Sequence, residues 1–134
     1  MYGLLDVSAS GLVANRTRLT VSTANLANRD SIVGADGEYN PYRRRFAVLA
    51  PGDPVSGNAD GVHVSSIEID EGPLRKKYEP WSRFADADGY VGYPDIDPTA
   101  ETVNAMEAMR AYEANVMAAE ATKSMMSMAL RLLG

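Results

Sequence analysis

Cysteine is absent from this chain of 134 residues, and histidine occurs once, as His63. Without cysteine the chain can form neither a disulfide framework nor a thiolate metal site, and it has no thiol nucleophile. His63 lies inside an alternating segment that is typical of a strand, with no second histidine or serine motif nearby. Ser8 is not part of a nucleophile elbow, because that motif needs a glycine two residues before the serine and a preceding strand. We therefore expect no catalytic residue and no enzyme, and the alternative is a small hydrolase built around His63 and the acidic loop of residues 86–97.

Long apolar runs are also lacking. No stretch reaches the roughly 18 consecutive apolar residues of a membrane-spanning helix. Polar residues or glycine at Asp6, Ser8, Ser10 and Gly11 interrupt the first dozen residues, which does not fit a cleaved secretory signal. We expect a chain that does not insert into a membrane and that is exported, if at all, without a cleaved signal peptide.

Basic charge does not accumulate anywhere in the chain. Residues 1–50 carry a net charge of +2, residues 51–100 carry −6 and residues 101–134 carry −1. The short basic run at residues 43–45 is more typical of a solvated strand start than of a nucleic-acid site. We expect no nucleic-acid partner.

Acidic residues cluster between residues 86 and 97, where four aspartates surround Gly89. Oxygen ligands in a turn are what calcium prefers, but the spacing does not fit. Aligning Gly89 with the sixth position of an EF-hand loop places Phe84 at the first position, where a carboxylate belongs, and Asp95 at the twelfth, where glutamate is usual. We predict no metal site, no cofactor and no small-molecule substrate.

The last third of the chain predicts one long helix. Asp97 suits the N-cap, Pro98 suits the first helical position, and Glu101 favours the positive end of the helix dipole. Residues 99–133 contain no proline or glycine. At about 1.5 Å per residue such a helix is about 50 Å long.

This predicted helix is apolar on two sides. A stripe at alternating steps of three and four residues predicts a coiled-coil seam with one polar interruption, Lys123: Met109, Tyr112, Val116, Ala119, Lys123, Met126, Leu130 and Leu133. A second stripe lies on the other side and predicts a contact with other subunits, since one partner helix cannot cover both sides: Ala111, Ala114, Ala118, Ala121, Met125, Met128 and Leu132.

Residues 4–28 predict the partner helix, because four leucines recur at a strict interval of seven residues: Leu5, Leu12, Leu19 and Leu26. The predicted fold is therefore mainly α. Long N- and C-terminal helices, residues 1–28 and 99–134, pair antiparallel as a coiled coil around a small β-rich and irregular middle, residues 29–98. We treat the three segments as one structural unit that is completed by assembly.

The middle segment predicts two strands, residues 45–49 and Val62–Ile69, from their alternating patterns. A turn-rich link separates them. Residues 78–98 contain five aromatic residues without a regular period, and we expect that loop to pack either on the chain's own helices or on a neighbour. A two-stranded ribbon alone is only marginally stable in water, so we expect the middle segment to pack against the helices or against another subunit.

Several motifs together resemble the flagellar axial protein family of rods and hooks. The element Ser22-x-x-Asn25-Leu26-Ala27-Asn28 marks the family in general, and the rest of the series resembles its proximal-rod members: Val7-Ser8-Ala9-Ser10-Gly11-Leu12, Arg16-Thr17-Arg18-Leu19, Pro41-Tyr42-Arg43-Arg44, Gly61-Val62-His63-Val64, Tyr78-Glu79-Pro80, Ala85 to Val91 with Tyr93-Pro94, and Arg110 to Val116. The chain departs from the family at residues 81–84, where a His-Pro is common, at residues 95–97, where Asn-hydrophobe-Asn is common, and at residues 101–102, where Glu-Met is common.

The resemblance implies a structural subunit of the basal-body rod. Such a subunit is exported by the flagellar type III apparatus and assembles with copies of itself, other rod proteins and the adjoining base of the basal body, in the periplasm. We expect Asn25 and Asn28 to lie at a subunit interface. The alternative from the residues themselves is a coiled-coil adaptor that binds a single partner protein.

Overall fold

The computed structural model describes residues 2–134, and it is mostly helical. Helix α1 spans Tyr2–Ala27 and helix α2 spans Pro98–Leu133. Between them lie four strands: β1, Arg45–Pro51; β2, Val62–Ile69; β3, Arg75–Tyr78; and β4, Tyr90–Tyr93. The strands form two separate antiparallel pairs, β1 with β2 and β3 with β4. The mainly helical fold with a small β-rich middle is therefore confirmed.

Helix α2 begins as the sequence predicts. The Asp97 carboxylate accepts a hydrogen bond from the backbone N–H of Thr99 at 2.9 Å, and Pro98 occupies the first turn. Asp97 thus satisfies one of the backbone donors that a helix start leaves without a partner.

The two helices contact each other at identified points along their lengths. A Cβ atom added to Gly11 would lie 2.6 Å from Oδ1 of Asn115. Further along α1, Arg18 lies 3.8 Å from the Glu107 carboxylate. Glycine is needed at position 11 because the Asn115 side chain already fills that space.

The buried side of α1 lies one residue away from the leucine stripe. The six residues of α1 that are buried, among those the structure describes, are all small or polar: Ser8, Gly11, Ala14, Asn15, Ser22 and Asn25. The predicted seam residues Leu5, Leu12, Leu19 and Leu26 are half-buried beside this face. Small side chains let two helices approach closely, so the contact follows the small residues and the leucines lie at its margin.

On α2 the buried side lies between the two predicted stripes. Its fully buried residues are Glu101, Ala108 and Thr122. Since each residue turns a helix by about 100°, this face lies between the seam stripe and the alanine stripe. Of the predicted seam, Val116, Ala119 and Met126 are half-buried, and the exposed members are Met109, Tyr112, Lys123, Leu130 and Leu133.

Polar residues in the helix contact use their hydrogen-bonding groups within their own helix. Asn15, Asn115 and Thr122 each donate to the backbone carbonyl four residues earlier, at 2.8–2.9 Å. This local bonding lets polar side chains be buried without an unsatisfied donor.

The predicted strands are confirmed, with β1 extending two residues further than expected. Arg45 pairs with Ile69 and Pro51 with Val62, and the register shifts between Val48 and Leu49. Ser10 of α1 accepts a hydrogen bond from the N–H of Val62 at 3.1 Å. The first sheet therefore packs on α1 and does not stand alone.

The second pair, β3 and β4, lies in a region for which the sequence predicts no regular structure. Its connecting loop is held by side chains: Asp86 accepts hydrogen bonds from the N–H groups of Asp88 and Tyr90, both at 2.9 Å. Tyr93 donates to the Glu79 carboxylate at 2.8 Å. The Asp86 bonds are local to the loop, whereas the Tyr93–Glu79 bond joins residues 14 positions apart, and a periodicity search detects neither kind.

Candidate assembly surface and polar junction

A buried polar junction joins α1 to the start of β1. The Asn25 side chain is 1% exposed. Its amide nitrogen donates to the carbonyl of Arg45 at 2.8 Å, and its oxygen accepts from the Arg45 N–H and the Tyr42 hydroxyl, both at 3.0 Å. One side chain thereby satisfies both backbone groups of Arg45. Burial raises the pKa of Tyr42, which keeps its hydroxyl protonated as the donor.

A second buried group joins the same strand to α2. Glu101 is 1% exposed, and its carboxylate lies 2.6 Å from Nε of Arg44. Removing one partner of a buried ion pair leaves the other charge uncompensated, which destabilises a protein strongly. Residues 44 and 45 therefore connect the first sheet to both helices.

The sequence predicts Asn25 and Asn28 at a subunit interface, and the structure places them differently. Asn25 is enclosed within its own chain, and its amide groups bind there. Asn28 is half-buried and donates to the Ala24 carbonyl at 2.8 Å, next to the end of α1. The signal for the junction was present as the Ser-x-x-Asn element, but its partners are backbone atoms 20 residues away.

The second predicted stripe of α2 is almost wholly exposed. Ala111 is half-buried, and the other members are exposed: Ala114, Ala118, Ala121, Met125, Met128 and Leu132. Leu132 is 89% exposed. Large exposed apolar patches mark protein–protein contacts.

The chain as a whole buries little apolar surface. Among residues 2–134 the buried hydrophobic residues are Ala14, Val91, Ile96 and Ala108. The accessible surface is 9065 Å², whereas a compact monomer of 14.4 kDa has roughly 6,800 Å². The excess of roughly 2,200 Å² is comparable with the area that an obligate subunit interface buries.

The candidate chemical groups have structural roles in the described part of the chain. His63 lies in β2 with Nδ1 2.7 Å from the Gly52 carbonyl. The backbone N–H of Tyr90 lowers the pKa of Asp86, so this carboxylate closes a turn. Within residues 2–134 no group of three potential metal ligands comes together, and none of the helices has the length and apolar character needed to cross a membrane.

The C-terminal part of the chain matches a known family. Residues 87–132 match the family model described as flagellar basal body rod FlgEFG protein C-terminal. This match covers β4 and nearly all of α2, so this part of the chain is similar to flagellar rod proteins.

Comparison of the whole chain with known proteins narrows the class of flagellar rod protein to one family. The chain is 41% identical to the flagellar basal-body rod protein FlgC of Salmonella typhimurium over 133 residues, covering 98% of this chain and 97% of the relative. It is 41% identical to FlgC of Bacillus subtilis, covering 96% and 95% of the two chains, and 35% identical to FlgC of Borreliella burgdorferi, covering 99% and 97%. The chain belongs to the FlgC family of flagellar basal-body rod proteins. It is a structural subunit of the basal-body rod, and the predicted resemblance is confirmed.

Proposed function

We propose that this chain is a non-enzymatic subunit that assembles with copies of itself, with other rod proteins and with the adjoining base of the basal body. The product is the axial drive shaft that carries motor torque across the periplasm. This role needs no cofactor, metal, nucleic acid or small-molecule substrate.

Within each subunit the two helices pair antiparallel as a coiled coil. The order of contacts supports this pairing, because Gly11 lies near Asn115 and the later residue Arg18 lies near the earlier residue Glu107. Heptad spacing on both buried faces also supports it.

The exposed apolar side of α2 is the observation that carries the proposal. A helix that is apolar nearly all round is buried nearly all round in its working state, yet Met117, Met128 and Leu132 are 63%, 57% and 89% exposed in the single chain. Other subunits are the cover that this surface requires. Ala114, Ala118 and Ala121 allow close approach of a neighbouring helix, and the leucine stripe of α1 contributes its half-buried side chains to the margin of the coiled coil.

Substitution of Ala118 tests the assembly role. Ala118 is exposed in the single chain, so Ala118→Leu leaves the helix content of the purified chain unchanged or slightly higher. In the rod the added bulk separates helices and destabilises each contact by about 1–3 kcal/mol. We expect this variant to be missing from isolated basal bodies and swimming to be lost.

Ala27→Leu is the matched control, since Ala27 is an exposed alanine at the end of α1 outside the predicted stripe. It is expected to incorporate normally. Full incorporation of Ala118→Leu would contradict the proposed interface. A single adaptor complex that saturates at fixed stoichiometry would contradict rod assembly as a whole, and the family relatives do not favour that alternative.

A further inference from the structure

The tripeptide Ala-Asp-Gly occurs three times in the middle segment, at residues 35–37, 59–61 and 87–89. In each copy the glycine has a positive φ angle, which is +80° at Gly37, +90° at Gly61 and +85° at Gly89. A residue with a side chain does not readily adopt this conformation, so each copy lies at a bend that needs its glycine. The three copies thus share sequence and backbone geometry, and they differ in what surrounds them.

An aspartate followed by glycine can react with its own backbone. The glycine amide nitrogen attacks the carboxyl carbon of the aspartate side chain, a C–N bond forms, and a C–O bond of the carboxyl group breaks. The amide proton and the departing hydroxyl group leave as water, and the product is a cyclic succinimide. Water then opens the ring, and opening at the backbone carbonyl gives isoaspartate, in which the chain runs through the former side-chain carbon.

The copy at residues 35–37 has both reacting groups in hydrogen bonds. The N–H of Gly37 donates to the Gly34 carbonyl at 3.0 Å. The carboxylate of Asp36 accepts from the N–H of Glu38 at 3.0 Å. Both bonds must break before the ring closes, which slows the reaction at this copy.

The copy at residues 87–89 is held by the loop between β3 and β4. The N–H of Gly89 donates to the Asp86 carbonyl at 3.0 Å. The Asp86 carboxylate accepts from the N–H groups of Asp88 and Tyr90, both at 2.9 Å. The attacking amide of Gly89 and the backbone on both sides of it are therefore fixed.

The copy at residues 59–61 differs from the other two. In the part of the chain that the structure describes, neither the Asp60 carboxylate nor the Gly61 N–H has a hydrogen-bond partner. The Gly61 carbonyl accepts from Gly52 at 2.9 Å, so the movement that closes the ring falls on Asp60. Asp60 is exposed to water, and its own N–H donates to the Asn58 side chain over 3.3 Å, the longer end of the hydrogen-bond range.

We propose that Asp60–Gly61 is a site of spontaneous covalent modification, at which Asp60 converts to isoaspartate faster than Asp36 and Asp88 do. The product has one additional backbone atom directly before Gly61. Strand β2 begins at the next residue, Val62, whose N–H donates to Ser10 of α1 at 3.1 Å. The longer backbone displaces this N–H, so modification loosens the first sheet from α1 at this end.

Peptide mapping of aged protein tests the proposal, with the other two copies as internal controls. The purified full chain is kept warm at neutral pH for several weeks, and circular dichroism confirms that it stays folded. It is then digested, and isoaspartate is located by isoaspartyl methyltransferase labelling and mass spectrometry. We expect several-fold more isoaspartate at residue 60 than at residue 36 or 88. In denaturant, where the surroundings are lost, we expect nearly equal amounts at the three copies.

Two variants test the physical reason. Asp86→Ala removes the carboxylate that binds the N–H groups of Asp88 and Tyr90, so we expect isoaspartate at residue 88 to rise several-fold and residue 60 to be unaffected. Asp60→Glu keeps the charge but lengthens the side chain, so the five-membered ring cannot form and the modification at residue 60 is lost.

The measurements follow the free chain, so their outcome is independent of the proposed assembly. Equal modification of the three copies in the folded chain, or faster modification at residue 36 or 88 than at residue 60, would overturn the proposal. An unchanged rate at residue 88 in Asp86→Ala would show that hydrogen bonds do not set the order of reactivity and would overturn it as well.

Discussion

The polar junction at Asn25 makes the sharpest prediction about the free subunit. Asn25→Ala removes three hydrogen bonds, two to the backbone of Arg45 and one from Tyr42. Each contributes about 0.5–1.5 kcal/mol, and a buried group left without a partner adds to the loss, so we expect a loss of about 2–4 kcal/mol in the free energy of unfolding. That is a large fraction of the stability of a small domain.

Asn28→Ala is the matched control, since it removes an asparagine of the same sequence element whose side chain bonds only locally, donating to Ala24 and accepting from Ser31. We expect it to lower the free energy of unfolding by about 1 kcal/mol. Asn25→Asp keeps the acceptor but loses the donor to the Arg45 carbonyl and buries a charge, so it should destabilise at least as much as Asn25→Ala.

Denaturant titration of the purified chain measures the loss, and amide hydrogen exchange of residues 45–51 locates it. Faster exchange in β1 of Asn25→Ala, with α2 less affected, is the expected pattern. If Asn25→Ala and Asn28→Ala were equally stable, the junction would not hold the first sheet to α1 and the reasoning would be refuted.

Three further predictions concern the helix contact and the second sheet. Leu19→Asp places a charge at the half-buried margin of the contact between α1 and α2 and should abolish incorporation into basal bodies without abolishing synthesis. Normal swimming would exclude a role for the leucine stripe. Crowding of the Gly11→Ala Cβ, 2.6 Å from Asn115, costs about 1–3 kcal/mol, and the better helix propensity of alanine offsets about 1 kcal/mol of this. We therefore expect a net loss of up to about 2 kcal/mol, and the double variant with Asn115→Ala should be more stable than Gly11→Ala in denaturant titration. The hydrogen bond from Tyr93 lowers the pKa of Glu79 below its ordinary 4.5. The ionised Glu79 therefore contributes its full stabilisation above pH 4.5, and this stabilisation is lost as the pH falls through the folded pKa. Glu79→Gln should remove this part of the acid dependence of unfolding, as measured by the exchange of β4 amides.

Sequence patterns predicted the elements better than the contacts between them. The alternation in Val62–Ile69 located β2 to the residue, and the Asp97–Pro98 signal located the start of α2. The strand pair β3 and β4 escaped detection, because its strands have four residues each and are too short for an alternating pattern to stand out.

The sequence analysis drew the contact faces of the helices through their large apolar side chains, and the structure buries small and polar residues there. Periodicity counts leucine and methionine, whereas the residues buried on the facing sides of α1 and α2 include Gly11 and Ala108. The partners of Asn25 and Glu101 could not be predicted at all, since they are set by how β1 returns to the helices and not by spacing along either helix.

The hydrogen bonds that α1 makes to the first sheet have a consequence for aggregation. A two-stranded sheet has two open edges, and open edges are templates on which other chains add strands. Asn25 is hydrogen-bonded to the backbone N–H and carbonyl groups of Arg45, with which an added strand would otherwise pair. Ser10 is hydrogen-bonded in the same way to the N–H of Val62. The free subunit thus has an edge group of each strand blocked by its own N-terminal helix, which directs association toward side-chain surfaces and away from uncontrolled strand addition.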